Sequence, residues 1–225
     1  MKFQKIGIIT GVAAEAEAFV AGRAYATERA GELSVARLAL AGRDIAVVHS
    51  GIGKVNAAVS ATVLALRYDV DLLLVVGTAG KLSTIPGDCF VITEAVQGDY
   101  GAQRPGEFVH YTAGSWPIGP AEVVHFAAVP LPDVGLPNAR IVSGDAFVEC
   151  PEHSAGLRDR LGGDLVDMET AAVAQAAGRL GLPWAAIKAT TDDANSESAG
   201  DFNANLARAA GLAAAALERA IALLV

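Results

Sequence analysis

Three apolar, β-type runs in this chain each lead to a carboxylate at the point where the strand ends or a helix begins, and few folds can use that arrangement. Residues 5–10 run on to Glu15 near the start of a helical stretch at 13–21, residues 164–166 deliver Met168 and Glu169 to the mouth of a helix at 170–180, and residues 184–190 lead to Asp192. Open α/β sheets build ligand sites at such strand ends, where backbone N–H groups converge. Residues far apart in sequence can then meet in one pocket. A second reading is open for Glu169 alone: in the first turn of a helix stopped by Gly181 and Pro183 it would complement the helix dipole.

Further β-type runs fall at 33–40, 44–50, 71–76, 89–93 and 140–143, with helical patterns at 54–67 and 202–224. In the last of these, Phe202, Leu206, Ala210, Ala213, Leu217, Ile221 and Leu224 recur every three or four residues and form one apolar stripe. The alternation, with an antiparallel-looking pair over 33–50, predicts an α/β fold. It is expected to be a single domain spanning 1–225, with a mixed central β-sheet flanked by helices on both faces. Composition agrees. Hydrophobic residues make up 52% and aromatics only 6%, so the core must be Ala, Val, Leu and Ile, which suits strands covered by Ala-rich helices. Between 97 and 137, Pro105, Pro117, Pro120, Pro130, Pro132 and Pro137 break any long element. Such a stretch borders an active site or a subunit contact.

Several function classes are excluded. The net charge is −8, and no arginine cluster with interleaved aromatics is present, so no nucleic-acid partner is expected. The apolar run after Lys5 is too short for a signal-peptide core, and no stretch approaches a membrane span, so no membrane partner is expected. Two cysteines, Cys89 and Cys150, make no disulfide framework and fit a reducing cytoplasm. Cys150 and His153 form one two-ligand pair, while His49, His110 and His125 lack a partner at ligand spacing; a zinc site needs three or four ligands, and no metal is expected.

Ser50-Gly51-Ile52-Gly53-Lys54 resembles a phosphate loop but lacks its glycine, since Val48 stands there, and Asn56 occupies the third glycine of a dinucleotide fingerprint. No cofactor is therefore expected. Gly51 and Gly53 instead suit a strand-to-helix turn where backbone approaches a ligand. Val76-Gly77-Thr78-Ala79-Gly80 reads as another turn, either plain or offering N–H groups and a hydroxyl. Ser143-Gly144-Asp145-Ala146-Phe147 is a third, and Phe147 is either a core residue or an aromatic that stacks on a planar base. With no nucleophile elbow in the chain, the chemistry rests on the carboxylates.

Taken in order, the stretch 5–15, Ser50 to Val55, Gly77 to Gly80, Ser143 to Phe147, Val166-Asp167-Met168-Glu169 and Lys188 to Asp192 resemble the purine nucleoside phosphorylase/uridine phosphorylase superfamily. Within it the chain is most similar to the 5′-methylthioadenosine/S-adenosylhomocysteine nucleosidases. The resemblance covers nearly the whole chain outside 97–137. It implies a purine nucleosidase, a small-molecule nucleoside substrate and a homodimer in which the loop near 100–118 reaches a neighbour's site. It also implies roles: Glu15 as the base that activates water, Asp192 as the acid that protonates N7 of the purine, and Glu169 with Met168 as the ribose contact. Phe147 would stack on adenine beside the Val148 backbone, Thr78 would help hold Asp192, and Val12, Ile52 and Phe202 would line the pocket for the 5′ substituent. Cleavage of an N-glycosidic bond needs an acid at the leaving base and a base for water.

Phosphorylases of this fold carry an arginine before the Gly-Ser/Thr turn, where this chain has Leu74-Val75-Val76-Gly77, and the loop 10–14 has no arginine either. Desolvation would exclude a phosphate dianion there, leaving water as nucleophile. Lys188 stands where the family commonly has arginine, and Ala13-Ala14 replace a more acidic lead-in to Glu15. Residues 98–110 depart further. Asp99-Tyr100-Gly101 is similar to the Asp-Leu-Gly of futalosine hydrolases, and Arg104 and His110 are cations that could meet a distal carboxylate on a substrate.

Overall fold

The computed structural model describes residues 3–224. The elements are β1 (Lys5–Thr10), α1 (Ala13–Val20), β2 (Ala26–Ala30), β3 (Leu33–Leu40), β4 (Arg43–His49), α2 (Lys54–Tyr68), β5 (Leu72–Lys81), β6 (Cys89–Gln97), β7 (Gly101–Arg104), β8 (Glu107–His110), β9 (Phe126–Ala127), β10 (Asn138–Ser143), α3 (Pro151–Leu161), β11 (Leu165–Asp167), α4 (Thr170–Leu180), β12 (Trp184–Asp192) and α5 (Ser198–Leu223). The main sheet runs β11-β10-β6-β12-β5-β1-β4-β3-β2, with β9 paired to β6 and β7–β8 forming a separate hairpin. It is mixed: β1 lies parallel to β4 and β5, and β5 parallel to β12, whereas β12–β6 and β3–β4 are antiparallel.

Side-chain alternation along the strands explains the layers. In β1, Ile9 packs with Ala57, Ala61 and Leu64 of α2 and Ala171–Ala177 residues of α4, while Ile6 and Ile8 face Phe19 of α1 and Ala213, Leu217 and Ile221 of α5. Helices therefore cover both faces, as expected from the strand composition. A third cluster joins Leu157 and Leu161 of α3 to Val142, Val148 and Val166.

Several boundaries differ from the sequence reading. The expected turn at 76–80 is the second half of β5, which continues to Lys81 because β12 pairs with it as far as Gly80 and β11 closes against Gly80 and Lys81. Helix α3 went unpredicted, since Gly156 and four charged residues dilute its apolar pattern; its signals were Pro151 in the first turn and Gly162 as a left-handed C-cap. The weak stretch 97–137 contains the β7–β8 hairpin and the two-residue β9.

The β11–β5 pairing positions the site. β11 is parallel to β10 and antiparallel to β5, so it runs opposite to β1 and β12. Glu169 therefore does not share a parallel sheet edge with the other two carboxylates. It reaches them because β5, β12, β6, β10 and β11 close into a ring.

Candidate active site

At the ends of β1, β5, β11 and β12 lies a cavity of about 430 Å³. Its lining includes all ten residues singled out from the sequence: Val12, Glu15, Ile52, Thr78, Phe147, Val148, Met168, Glu169, Asp192 and Phe202. Gly11, Asp167, Thr191 and Asn203 also contribute. Among the described residues the lining holds no Lys, Arg or His.

Glu15 sits at the third position of α1 and its carboxylate reaches back over the helix start, where Oε2 accepts the N–H groups of Gly11 (2.9 Å) and Val12 (3.0 Å). That is the carboxylate half of a capping box. Oε1 accepts the Thr78 N–H at 2.7 Å and the Thr78 hydroxyl at 2.8 Å. Four donors on one buried carboxylate hold it in a single orientation. Thr78 thus serves Glu15, correcting the expectation that it holds Asp192. The residue on Asp192 is its chain neighbour Thr191, whose hydroxyl donates to Oδ2 at 2.8 Å, while the Ala194 N–H donates to Oδ1 at 2.9 Å.

Two glycines make this packing possible. A Cβ on Gly77 would stand 2.5 Å from Glu15 Oε1, and one on Gly11 would stand 2.9 Å from Glu169 Cδ. A glycine inside a strand marks such a close approach, and Gly77 within β5 is that signal in the sequence.

Glu169 is the N-cap of α4, and its Oε1 accepts the Gly53 N–H at 3.0 Å. Gly53 has φ 102° and opens α2, so the Gly51–Gly53 turn does bring backbone close, here to a protein carboxylate. Burial, then the neighbouring Asp167, push the Glu169 carboxyl up to about 7 against the pull of Lys188 and the Gly53 N–H; Glu15 adds to the rise. Lys188 lies outside the cavity lining. It is 1% exposed and pairs with Asp167 Oδ2 at 2.9 Å. Burial opposes its charge, but Asp167, Glu169 and Glu15 outweigh burial and raise its pKa.

Phe147 is 46% exposed and meets Phe202 edge to face, with centroids 5.9 Å apart, so it is a cavity wall and not a core residue. Ile52, which also lines the cavity, is exposed as well. Arg104 and His110 do not line this cavity: Arg104 donates to the Tyr111 hydroxyl, and His110 Nε2 lies 2.9 Å from the Gly98 carbonyl. His110 faces a second hollow of about 440 Å³, lined by charges of both signs and separated from the first by Ala146, Val148 and Val166. Among the described residues no group of three metal-ligating side chains occurs, and no helix is long and apolar enough to cross a membrane.

The Phosphorylase superfamily family model matches residues 5–222. A 5′-methylthioadenosine/S-adenosylhomocysteine nucleosidase of Anoxybacillus flavithermus is 35% identical over 184 residues, covering 76% of this chain and 77% of its own. One from a Shewanella species is 31% identical over 219 residues, covering 91% and 93%. Among solved structures, the nucleosidase of S. pneumoniae with a transition-state inhibitor superposes with TM-score 0.85 at 25% identity, covering 99% of this chain and all of that one. The futalosine hydrolase of Helicobacter pylori gives 0.83 at 23% identity, covering 97% of each chain, which shows the fold alone. The chain belongs to the phosphorylase superfamily and, within it, to the 5′-methylthioadenosine/S-adenosylhomocysteine nucleosidases, a family of N-glycosyl hydrolases.

Proposed function

We propose that the protein hydrolyses the N-glycosidic bond of 5′-methylthioadenosine and S-adenosylhomocysteine, releasing adenine and the 5′-thioribose sugar. One observation carries this reading: three carboxylates from separate parts of the chain, Glu15, Glu169 and Asp192, converge in one cavity whose described lining has no cation. Such a site disfavours a phosphate dianion, which would have to shed its hydration with nothing to replace it. Water, being neutral, can enter.

In this reading Glu15 takes a proton from water as it attacks the anomeric carbon. Three of the four donors on Glu15 are backbone N–H groups, and only the Thr78 hydroxyl can rotate. Its rotation frees a lone pair on Oε1 for the water. Asp192, held by Thr191 and the Ala194 N–H, delivers a proton to N7, so that adenine leaves neutral. Glu169 accepts the ribose hydroxyls beside Met168. The base lies against Phe147 and meets the Val148 backbone. Val12, Ile52 and Phe202 form an apolar wall for the 5′-alkylthio group, each buried methylene adding about 0.8 kcal/mol.

The protein acts as a homodimer. Val55, Val59 and Leu66 form an exposed apolar stripe along α2 that begins at Ile52 on the cavity rim. The loop carrying the exposed Trp116 and Ile118 passes over Gln175 and Arg179 of α4, the helix beside α2. A second copy seated on this face would close the 5′ end of the cavity.

The test is to incubate the protein, without phosphate, with methylthioadenosine, adenosylhomocysteine, adenosine and futalosine, and to identify the free base and sugar. Methylthioadenosine or adenosylhomocysteine should give the highest kcat/KM. A wide margin for futalosine, with release of hypoxanthine, would replace the substrate assignment; a strict phosphate requirement would refute hydrolysis.

A further inference from the structure

We propose that Lys188 is a positioning residue for ribose recognition: through its buried ion pair with Asp167, and without touching the substrate, it keeps Glu169 in the charged form that accepts the sugar hydroxyls. The proposal rests on the reading that Glu169 holds the ribose.

Lys188 lies in β12, beneath the cavity floor and outside its lining. Its Nζ is 2.9 Å from Asp167 Oδ2 and 3.5 Å from the Thr78 carbonyl. Asp167 cannot turn away from it. The Ser143 and Thr170 hydroxyls and the Thr170 N–H (3.1 Å) all donate to the same carboxylate, tying β10 and α4 to it. Thr78 in turn donates to Glu15. A continuous polar chain therefore runs beneath the cavity from Glu15 through Thr78 and Lys188 to Asp167, two residues before Glu169.

The charges decide what this chain does. The Gly53 N–H from the turn before α2 donates to Glu169, and the charges that act on it are those of Asp167 from β11, Lys188 from β12 and Glu15 from α1. That makes three carboxylates against one ammonium in a buried cluster. Replacing a buried ion pair by apolar residues is often neutral or stabilising, so packing alone gives no reason for a lysine here. Without Lys188 the Asp167 charge stands uncompensated beside Glu169, and Glu169 holds its proton to higher pH. A protonated carboxyl must spend one oxygen as a donor and no longer accepts from both ribose hydroxyls.

The experiment compares wild type, Lys188→Met, Asp167→Asn and Lys188→Arg by two readouts. One is the pH profile of kcat/KM on the nucleoside the wild type turns over. The other is carbon-13 NMR of the Glu169 carboxyl in ligand-free protein, assigned with Glu169→Gln. Loss of a nearby opposite charge from a buried cluster moves a carboxyl by about one pH unit or more. Lys188→Met should move both the acid limb and the carboxyl titration upward by that amount, costing roughly tenfold in kcat/KM at neutral pH, mostly through KM. Asp167→Asn should move both downward, and Lys188→Arg should restore the wild-type positions. Opposite shifts from the two single variants are what general loosening of the site would not produce. If Lys188→Met does not fold, Asp167→Asn and Lys188→Arg carry the test. A carboxyl titration unmoved in the folded variants overturns the coupling; a titration that moves while KM does not overturns the ribose role of Glu169 instead.

Discussion

Gly77 touches no substrate in the proposed mechanism, yet Gly77→Ala should disable the enzyme. Its Cβ would lie 2.5 Å from Glu15 Oε1, 2.6 Å from Cδ and 2.7 Å from Oε2. Those atoms must recede by roughly 0.5–1 Å to reach tolerable contact. The Thr78 N–H and hydroxyl now stand 2.7 and 2.8 Å from Oε1, so the same movement carries one or both past the useful limit for a hydrogen bond. Each charge-assisted bond lost costs about 1.5–3 kcal/mol, offset by about 0.5–1 kcal/mol from removing a strand glycine. The net loss of stability should be about 0.5–2.5 kcal/mol if one bond is lost and about 2–5 kcal/mol if both are. Activity should suffer more: a displacement near 1 Å at a reacting group costs on the order of 100-fold. The loss should fall on kcat, since Glu169, Phe147 and Phe202 are untouched. Adenine release at saturating methylthioadenosine measures it, with circular dichroism to confirm folding. Gly178→Ala in α4 is the control, because a Cβ there meets nothing within 4 Å; it should leave kcat alone and stabilise by about 1 kcal/mol. Wild-type kcat in folded Gly77→Ala would refute the placement of Glu15 as the base.

Glu15→Gln keeps the shape but cannot take a proton, so turnover should fall on the order of 100-fold or more while nucleoside binding by calorimetry is retained. Asp192→Asn should slow hydrolysis in proportion to how badly the base needs protonation; an equal loss on a substrate whose base leaves unprotonated would make Asp192 structural. Glu169 sets a stability dependence whose sign is fixed: its carboxyl is higher in the folded protein (about 7) than in a free glutamate (4.5), so its contribution is fully present below the free value and is lost as pH rises through 7. Glu169→Gln should therefore melt higher than wild type at pH 8, by on the order of 2–3 kcal/mol, with the gap closing toward pH 5. Val55→Glu or Leu66→Glu on α2 should convert a dimer to monomers in sedimentation, and a wild-type protein already monomeric at micromolar concentration would remove that interface.

The sequence by itself determined the architecture and pointed to the residues that line the cavity. Strand and helix periods of two and 3.6 are local, so the cores of β1, β3, β4, α2, α4 and β12 were legible, and carboxylates at strand ends marked the cavity before any contact was known. What only the tertiary structure decided were the pairings across the chain. That β11 closes against β5, that the Gly77–Gly80 stretch is strand, that Thr78 holds Glu15 and that Lys188 is buried against Asp167 all depend on which strand ends abut. Spacing along a chain carries no record of that, because hydrogen bonds and ion pairs act over about 3 Å and join residues separated by 63 positions for Glu15 and Thr78. Only when β1 and β12 lie beside β5 and β11 closes against it do those distances become short enough for one side chain to set the chemistry of another.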